Sequence, residues 1–307
     1  MLAEVAERLR EHGDVVELSD SSPTALIEAV TEADALVVRS RAHITARVIN
    51  AAPKLRVIGR AGSSLDHIDM RAALRRQITV VYTPLAQVPS IADYTVTMIL
   101  ACARRLFWYD RKIRAGQFDT LRTPFGREIR NLTIGLLGGG AVAHEVARIC
   151  RDGFRARVIV HEPECVPPQD HDATRVDLDT LLREADVLSI HMAQRPQFIK
   201  MIGERELALM KPTACVVNTS RGSIVDNQAL AEALKRQHLA GAALDVFDAE
   251  PLPTAHCLRN APNCILSPHI AAMTLDVPEE YYRVAEDVIR VLKGENPRYP
   301  APAPKSD

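Results

Sequence analysis

The feature that most constrains this chain is a short apolar run that passes through three glycines into a helix-forming stretch. Thr133–Leu137 reads TIGLL, Gly138–Gly140 follow directly, and residues 141–149 carry apolar side chains at helical spacing. Short, continuous apolar runs are typical of strands buried in parallel sheets. The order of strand, glycine turn and helix therefore predicts an α/β fold built on a parallel sheet.

The glycine turn also has the form of a phosphate-binding site. Gly138 allows a tight turn, Gly140 lets the backbone approach a pyrophosphate, and the following helix offers unpaired N–H groups to its charge. Ala143 takes the third position of the pattern and is small enough for close packing of helix on strand. Because such turns also occur without a ligand, the prediction of a dinucleotide site needs further support.

That support comes from Glu162, which lies just beyond the next predicted strand, Arg157–Val160. An acidic side chain there can accept hydrogen bonds from both hydroxyls of an adenosine ribose and repels a 2′-phosphate, which favours NAD over NADP. A solvated charge at a strand end is the alternative interpretation. A methyltransferase that binds S-adenosylmethionine could share both features, so this segment predicts a nucleotide site and leaves the reaction open.

Composition and cysteine use narrow the class of protein. The chain has 307 residues, enough for two domains, with 47% hydrophobic and 25% charged residues and a net charge of −1. These values fit a soluble globular protein and do not point to nucleic-acid or membrane partners. The six cysteines form no C-x-x-C pair, which predicts free thiols and a cytoplasmic location, and the ten histidines form no cluster that would predict a metal site.

Short strands are predicted on both sides of the glycine turn, so a parallel α/β domain is expected on each side. The first group follows an opening helix marked by Leu2, Val5 and Leu9, and comprises Val15–Leu18, Ala35–Val38, Arg56–Ile58 and Ile78–Tyr82. The second group has the six strands of a full dinucleotide fold: Thr133–Leu137, Arg157–Val160, Val187–His191, Ala214–Asn218, Ala242–Val246 and Cys264–Leu266.

Three further segments complete the predicted organisation. A long helix is predicted over Ile91–Arg114, a last helix over Glu279–Leu292, and a loose proline-rich tail over Pro297–Asp307. The opening on a helix is unusual, because a doubly wound domain normally opens on a strand. We expect either that the native chain begins upstream or that the first sheet lacks a strand.

Three polar side chains lie at or beyond the ends of late strands of the second group. Arg221, Glu250 and His269 follow the runs CVVNTS, ALDVFDA and ILSP. Because ligands of open α/β sheets bind at the carboxyl ends of the strands, these residues are expected to face one site, as a carboxylate anchor with an acid–base pair. A surface ion pair, a solvated turn charge and a core histidine are the respective alternatives.

The same segments resemble a known family. The runs 216–226 (VVNTSRGSIVD), 241–251 (GAALDVFDAEP) and 266–274 (LSPHIAAMT) resemble the D-isomer-specific 2-hydroxyacid dehydrogenases, and 37–45 and 52–62 resemble the phosphoglycerate dehydrogenase branch. The resemblance implies a Rossmann NAD-binding domain inserted into a smaller flavodoxin-like substrate domain, both doubly wound, and a homodimer formed mainly through the NAD domains. The expected domains are 1–93 with 275–307 for the substrate, and 94–274 for NAD.

The resemblance also implies an activity, the transfer of a hydride between C2 of a D-2-hydroxyacid and C4 of the nicotinamide. Arg221 would bind the substrate carboxylate, and His269 would exchange a proton with the substrate oxygen. Glu250 would orient His269 and raise its pKa, and Asp245 would hold the nicotinamide carboxamide.

The expected binding residues follow from the turn motif and the resemblance together. Cofactor contacts are expected from Gly138, Gly140, Ala141, Val142, Glu162, Thr219, Asp245 and His269. Substrate contacts are expected from Arg60, Ser63, Ser64 and Arg221.

The chain departs from the family pattern near the expected substrate. Ser64 replaces a glycine of the first substrate loop, and Pro84–Pro89 replaces a glycine-rich second loop. Ala141 stands where an arginine is common, and 191–200 lacks the usual proline, threonine and glycine pattern.

These departures leave the substrate and one alternative function open. Arg60 either meets a distal anionic group or forms a structural ion pair, so 3-phosphoglycerate, hydroxypyruvate and glyoxylate are all candidate substrates. The alternative function is a catalytically weak NAD(H)-sensing binding protein, like the C-terminal-binding corepressors of this fold.

Overall fold

The computed structural model describes residues 3–39, 42–62, 64–118, 126–163, 173–275 and 277–303. Backbone contacts divide the chain into two compact units, one formed by Met1–Gln87 with Thr274–Asp307 and the other by Val88–Met273. The boundary expected after residue 93 falls inside a helix that belongs wholly to the second unit.

The elements are numbered in chain order. The helices are α1 (Ala3–Arg10), α2 (Pro23–Ala29), α3 (Ala46–Asn50), α4 (Met70–Arg75), α5 (Val88–Ala103), α6 (Leu106–Arg114), α7 (Ala141–Arg148), α8 (Leu178–Glu184), α9 (Glu204–Leu209), α10 (Asn227–Lys235) and α11 (Val277–Leu292). The strands are β1 (Ala35–Val38), β2 (Val57–Arg60), β3 (Thr79–Tyr82), β4 (Thr133–Leu137), β5 (Arg157–His161), β6 (Thr174–Arg175), β7 (Val187–Ile190), β8 (Cys215–Asn218), β9 (Gly241–Leu244) and β10 (Cys264–Leu266).

The first unit is a three-stranded parallel sheet in the order β1-β2-β3, with helices on both faces. Alternate strand residues point to opposite sides, as the pleat requires. Ile58 and Val80 pack with residues of α2, α3 and α4, whereas Val57 and Val81 pack with α1 and α11. The contact with α11 is close at Gly59, where an added Cβ would lie 2.6 Å from Cγ2 of Val288.

Two sequence predictions for this unit are wrong. Val15–Leu18 is not a strand, and its apolar side chains do not pack on the sheet, since Val16 is 78% exposed. The proline-rich tail is not loose over its described part. The N–H groups of Arg298 and Tyr299 each donate to the Asp287 carboxylate over 2.8 Å, and an antiparallel bridge joins Pro300 to Val81.

The second unit is a seven-stranded, wholly parallel sheet in the order β10-β9-β8-β7-β4-β5-β6. Its core lies on both faces of the sheet, as expected for a doubly wound fold. All six predicted strands are present. The seventh, β6, was missed because its two residues are exposed and carry no apolar signal.

The predicted helix Ile91–Arg114 is two helices, so this prediction is also wrong. The chain leaves the α-helical conformation between α5 and α6, where Arg105 has a φ of 51°. A left-handed residue interrupts the hydrogen-bond ladder of a helix. None of the described helices has the length and apolar character needed to cross a membrane.

A buried carboxylate joins the starts of two central strands of this sheet. Asp186 precedes β7 and is 7% exposed. It accepts hydrogen bonds from the Thr133 N–H at 2.9 Å, from Arg127 at 2.7 Å and from Lys211 at 3.2 Å. Burial acts to raise the pKa of Asp186, but these hydrogen bonds outweigh it and hold the pKa below its ordinary value.

We expect Asp186→Asn to lower the free energy of unfolding by about 1–3 kcal/mol at neutral pH, because it weakens charge-assisted hydrogen bonds to a buried group. Because the folded-state pKa is depressed, this contribution is present above the unfolded pKa and is lost as the pH falls below about 4. Urea unfolding at several pH values checks this.

The matched control is Asp179→Asn, whose carboxylate forms exposed ion pairs with Arg183 and Arg205. It should change stability by about 1 kcal/mol or less. A stability difference between wild type and Asp186→Asn that stays constant down to pH 3 would contradict the assigned role.

Candidate active site

The turn between β4 and α7 lies where the strand order reverses, because β4 pairs with β5 on one side and β7 on the other. Gly138 has a φ of 98°, and an added Cβ there would lie 2.6 Å from the carbonyl oxygen of His191. Gly140 caps α7, and among the described residues, its chain neighbours aside, none has a heavy atom within 4 Å of where a Cβ would lie. The turn thus requires glycine at 138 and leaves open space at the helix N-terminus, which fits a dinucleotide pyrophosphate.

Residues at the start of α7 divide between this open side and the core. Ala141 is exposed, whereas Val142 is half-buried and packs against the core that contains Ala143 and Val146. Ala143 is fully buried, in agreement with the close helix–strand packing expected of the third position in the motif.

Glu162 is not a solvated strand-end charge. Its side chain is 5% exposed, and its Oε2 lies 2.8 Å from Nη1 of Arg175, which belongs to the missed strand β6. The sequence did not indicate this ion pair, because Arg175 lies in a strand of only two exposed residues.

Three adjacent strands carry the predicted catalytic residues. Arg221, Glu250 and His269 follow β8, β9 and β10, which are neighbours in the sheet. The structure brings two of them into contact, since Nδ1 of His269 lies 2.8 Å from Oε2 of Glu250. The other oxygen of Glu250 accepts the Phe247 N–H at 3.0 Å, which fixes the carboxylate against its own loop. The His–Glu pair is partly exposed and thus accessible to a ligand.

Asp245 holds the loop that carries His269. It is fully buried, and its carboxylate accepts hydrogen bonds from Ser267 Oγ at 2.5 Å and from the N–H groups of Ile270 at 3.0 Å and Ala271 at 2.8 Å. The Asp245 carbonyl also accepts the His269 N–H at 2.8 Å. These contacts account for the left-handed backbone of His269, whose φ is 55°. The expected contact of Asp245 with the nicotinamide stays a prediction.

Asn218 was not predicted from the sequence as a site residue, and its side chain holds the loop of Arg221 through hydrogen bonds. Its side chain is 1% exposed, donates to the Arg221 carbonyl at 2.9 Å and accepts from Ser220 N and Oγ, both at 3.0 Å. Arg221 Nη1 in turn donates to the Ser220 carbonyl at 2.8 Å. The sequence offered one signal for Asn218, because it is a polar residue at the carboxyl end of a predicted strand.

Gly222 is the second residue that was missed. A Cβ on Gly222 would lie 1.9 Å from the carbonyl carbon of Phe247, so only glycine lets these two backbones approach. The contact joins the loop after β8, which carries Arg221, to the loop after β9, which carries Glu250. Thr219, just before Arg221, is tied from the other side by a 2.7 Å hydrogen bond to Thr95 of α5.

Two predicted substrate residues of the first unit are in contact, Arg60 at the end of β2 and Ser64 shortly after it. Arg60 is 6% exposed, and its guanidinium donates to the carbonyls of Ala61 and, at 3.0 Å, of Ser64. The Ser64 hydroxyl accepts the Asp66 N–H at 3.2 Å. Ser63 lies outside the described residues.

Comparison with known proteins decides the family. The model described as "D-isomer specific 2-hydroxyacid dehydrogenase, NAD binding domain" matches residues 96–271. The chain belongs to the D-isomer-specific 2-hydroxyacid dehydrogenases.

The chain is 38% identical to a glyoxylate reductase of Thermofilum pendens, over 94% of this chain and 88% of that protein. It is 36% identical to a D-3-phosphoglycerate dehydrogenase of Archaeoglobus fulgidus, over 95% of this chain but only 56% of that protein. Among solved structures, the TT0316 protein of Thermus thermophilus superposes with a TM-score of 0.87 at 34% identity, covering 98% of this chain and 97% of that one.

As a member of the D-isomer-specific 2-hydroxyacid dehydrogenases, the protein is an NAD-dependent oxidoreductase that acts on the CH–OH group of 2-hydroxyacids. The fold class and the family resemblance predicted from the sequence are confirmed. The methyltransferase alternative is wrong, because the nucleotide turn lies in a dehydrogenase domain.

The close contact between the backbones of Gly222 and Phe247 should be needed for full activity of this dehydrogenase. We expect Gly222→Ala to lower kcat/KM at least about tenfold, because a Cβ at 222 forces apart the loops of Arg221 and Glu250. Steady-state kinetics, together with circular dichroism to confirm folding, measure this. Gly13→Ala is the matched control, since no described residue other than its chain neighbours has an atom within 4 Å of a Cβ at Gly13. Normal kinetics in Gly222→Ala would show that this close approach is not needed.

Proposed function

We propose that this dehydrogenase reduces small 2-keto acids, of the glyoxylate or hydroxypyruvate type, to D-2-hydroxyacids with NADH. The observation that supports this most directly is the 2.8 Å contact between His269 and Glu250 at the ends of adjacent strands. It supplies an oriented acid–base group at the same edge of the sheet as Arg221, a cation suited to a carboxylate.

His269 is proposed as the group that exchanges a proton with the substrate oxygen. Because Glu250 occupies Nδ1, the proton is exchanged at Nε2. Glu250 orients the ring through its contact with Nδ1. Arg221 binds the substrate carboxylate and directs the keto carbon toward the cofactor, so that position and charge supply the protein's share of catalysis.

The cofactor is proposed to lie on the glycine turn and the strand ends around it. The N–H groups of α7, near Gly138, Gly140, Ala141 and Val142, hold the pyrophosphate. Glu162 accepts hydrogen bonds from the adenosine ribose, and the nicotinamide end lies near Thr219, Asp245 and His269. Bound NAD supplies the hydride acceptor or donor.

The environment of Arg60 is the basis for the proposed size of the substrate. Because this guanidinium is buried and donates to two carbonyls of its own loop, we assign it to loop structure and not to a distal phosphate. That assignment favours glyoxylate or hydroxypyruvate over the 3-phosphoglycerate pair. The 88% coverage of the Thermofilum pendens glyoxylate reductase is consistent with this choice.

We also propose a homodimer formed through the second unit, and a cytoplasmic location. The helix α6 has no buried residue and exposes Leu106, Phe107 and Ile113, which fits a surface covered by a second copy. The described cysteines are free thiols, which fits a reducing compartment.

The proposed acid–base role predicts that His269→Gln lowers kcat about 10²–10⁴-fold with every 2-keto acid, while NADH binding measured by fluorescence is retained. Glu250→Gln should lower kcat by a smaller factor, because the ring stays in place but loses its charged partner. His12→Gln, an exposed histidine of the first unit, serves as the control.

The outcomes separate the proposal from its alternative. If the wild type turns over a 2-keto acid and His269→Gln has the same kcat, His269 takes no part in the mechanism. Tight NADH binding by wild type without turnover of any acid in a 2-keto-acid panel would favour the NAD(H)-sensing function instead.

The proposed substrate size predicts a kcat/KM for glyoxylate at least about tenfold above that for 3-phosphohydroxypyruvate, the keto form of 3-phosphoglycerate. Competition assays at fixed NADH measure the ratio. Arg60→Ala should then lower the melting temperature and affect both substrates alike. A loss confined to the phosphorylated substrate would instead make Arg60 a phosphate-binding residue.

A further inference from the structure

His256 is a largely buried histidine of the second unit that the proposed mechanism does not use. It follows Glu250 in the loop after β9, and its side chain is 11% exposed. Its Nε2 lies 3.0 Å from Oδ1 of Asp248, so this one contact closes the loop between residues 248 and 256. Glu250 lies inside the closed loop, which connects His256 with the candidate active site.

The hydrogen bonds of His256 determine which ring nitrogen carries the proton. Nδ1 lies 3.3 Å from the backbone nitrogen of Leu258 and accepts its N–H, because an amide nitrogen only donates. The hydrogen of the neutral ring is then on Nε2, which donates to the Asp248 carboxylate. The ring thus caps the short 3₁₀ helix Cys257–Asn260 with one nitrogen and holds the loop of Glu250 with the other.

The carboxylate of Asp248 is half exposed, which limits what this contact contributes to the fold. Burial acts to raise the pKa of Asp248, but the side chains of Asn227 and His256 outweigh it and hold the pKa below its ordinary value. Because the Asp248 side chain is 47% exposed, solvent screens its interaction with the ring. The contact should therefore restrict the loop more than it stabilises the protein.

Phe247 joins the same ring to Glu250. The rings of Phe247 and His256 meet edge to face, with their centroids 6.4 Å apart. Phe247 is 8% exposed, and its N–H donates to Oε1 of Glu250 over 3.0 Å. The backbone group that fixes the Glu250 carboxylate thus belongs to the residue whose side chain packs on His256.

The remainder of the loop is held by another side chain. Arg259 donates to the carbonyl of Leu252 at 2.7 Å and to that of Pro253 at 2.8 Å. These acceptors follow Glu250 in the chain, whereas Asp248 precedes it. Glu250 therefore lies between two restrained segments, and His256 restrains the first of them.

We propose that His256 is a positioning residue for the oxidoreduction. It holds the segment of Phe247 and Asp248 in place. The Glu250 carboxylate, 2.8 Å from Nδ1 of His269, thereby keeps that ring aligned for proton exchange with the substrate oxygen. The inference rests on the proposed function, because it requires that Glu250 orients His269.

Two amide substitutions separate the two hydrogen bonds of His256. His256→Gln keeps an N–H donor near the position of Nε2, for Asp248, whereas His256→Asn keeps an acceptor near Nδ1, for Leu258. We expect His256→Asn to lower kcat about tenfold, because a small displacement of Glu250 misaligns His269. His256→Gln should retain most of the wild-type kcat.

The measurements are steady-state kinetics with a 2-keto acid that the wild type reduces, NADH binding by fluorescence, and the melting temperature. In His256→Asn, kcat and kcat/KM should fall by the same factor while the Kd for NADH is retained, because the lost alignment matters only in the transition state. A purely structural role gives the opposite order, since His256→Asn keeps the helix cap and would be the milder change.

His238→Gln is the matched control in the same unit. His238 is also half-buried, and its Nε2 lies 3.2 Å from the Leu207 carbonyl oxygen. It precedes β9, whereas His256 follows that strand, so the contact lies at the opposite end of the sheet from the candidate active site. His238→Gln should keep the wild-type kcat.

A double-mutant cycle tests whether His256 acts through Glu250. In the Glu250→Gln background, His256→Asn should lower kcat little further, because the carboxylate that it positions has lost its charge. In the Asp248→Ala background, His256→Asn should likewise have little further effect, because the acceptor of Nε2 is gone.

The outcomes distinguish this inference from the proposed function. If Glu250→Gln is slow but His256→Asn has the wild-type kcat, only the positioning role is overturned. The same holds if His256→Asn lowers kcat by the same factor in Glu250→Gln as in the wild type. If Glu250→Gln itself keeps the wild-type kcat, the proposed role of that carboxylate fails, and the positioning role of His256 fails with it.

Discussion

Parallel pairing of β8, β9 and β10 is the constraint on which the site depends. Because all three strands run in the same direction, the loops that follow them leave the same edge of the sheet. Residues far apart in the chain, Glu250 and His269, thereby come within 2.8 Å of each other. Antiparallel neighbours would have placed their loops at opposite edges, and the pair would not exist.

Strand pairing alone does not orient the side chains of the site. Hydrogen bonds from buried polar groups fix the loops that carry them. Asp245 and Asn218 are both almost inaccessible, and each directs its hydrogen bonds to the loop that follows or faces it. An unsatisfied carboxylate or amide at such depth would destabilise the fold, so each loop is held in the conformation that satisfies it. Gly222 adds a steric requirement, because the neighbouring loop can approach only where a side chain is missing.

Much of this architecture was predictable from local pattern. The strands β4 and β10 have the predicted limits, because each is a short apolar run bounded by turn residues. The strand-end positions of Arg221, Glu250 and His269 followed from the same pattern, and their roles from the family resemblance. Prediction failed where tertiary context decides, as at Val15–Leu18, whose apolar residues have no neighbouring strand, and at Arg105, where a single left-handed residue divides a helical run.

The supporting residues were harder to predict for a physical reason. Asn218 and Gly222 act through contacts that no periodic pattern of the sequence announces. The ion pair of Glu162 with Arg175 depends on β6, a strand too short to show alternation. The tail after Pro297 has the composition of a linker, yet two of its N–H groups donate hydrogen bonds to the Asp287 carboxylate. The composition of a segment is compatible with more than one conformation, and contacts with the rest of the fold determine which one it adopts.

The packing of α11 against β2 has a consequence for how the chain is made. Val57 meets Val284 and Val288, so the first unit is completed by residues that leave the ribosome more than two hundred positions later. The second unit is continuous in sequence and has all its strands available before α11 is synthesised. Such long-range closure is slow compared with local contact formation, so we expect the later, uninterrupted unit to complete its fold before α11 closes the amino-terminal sheet.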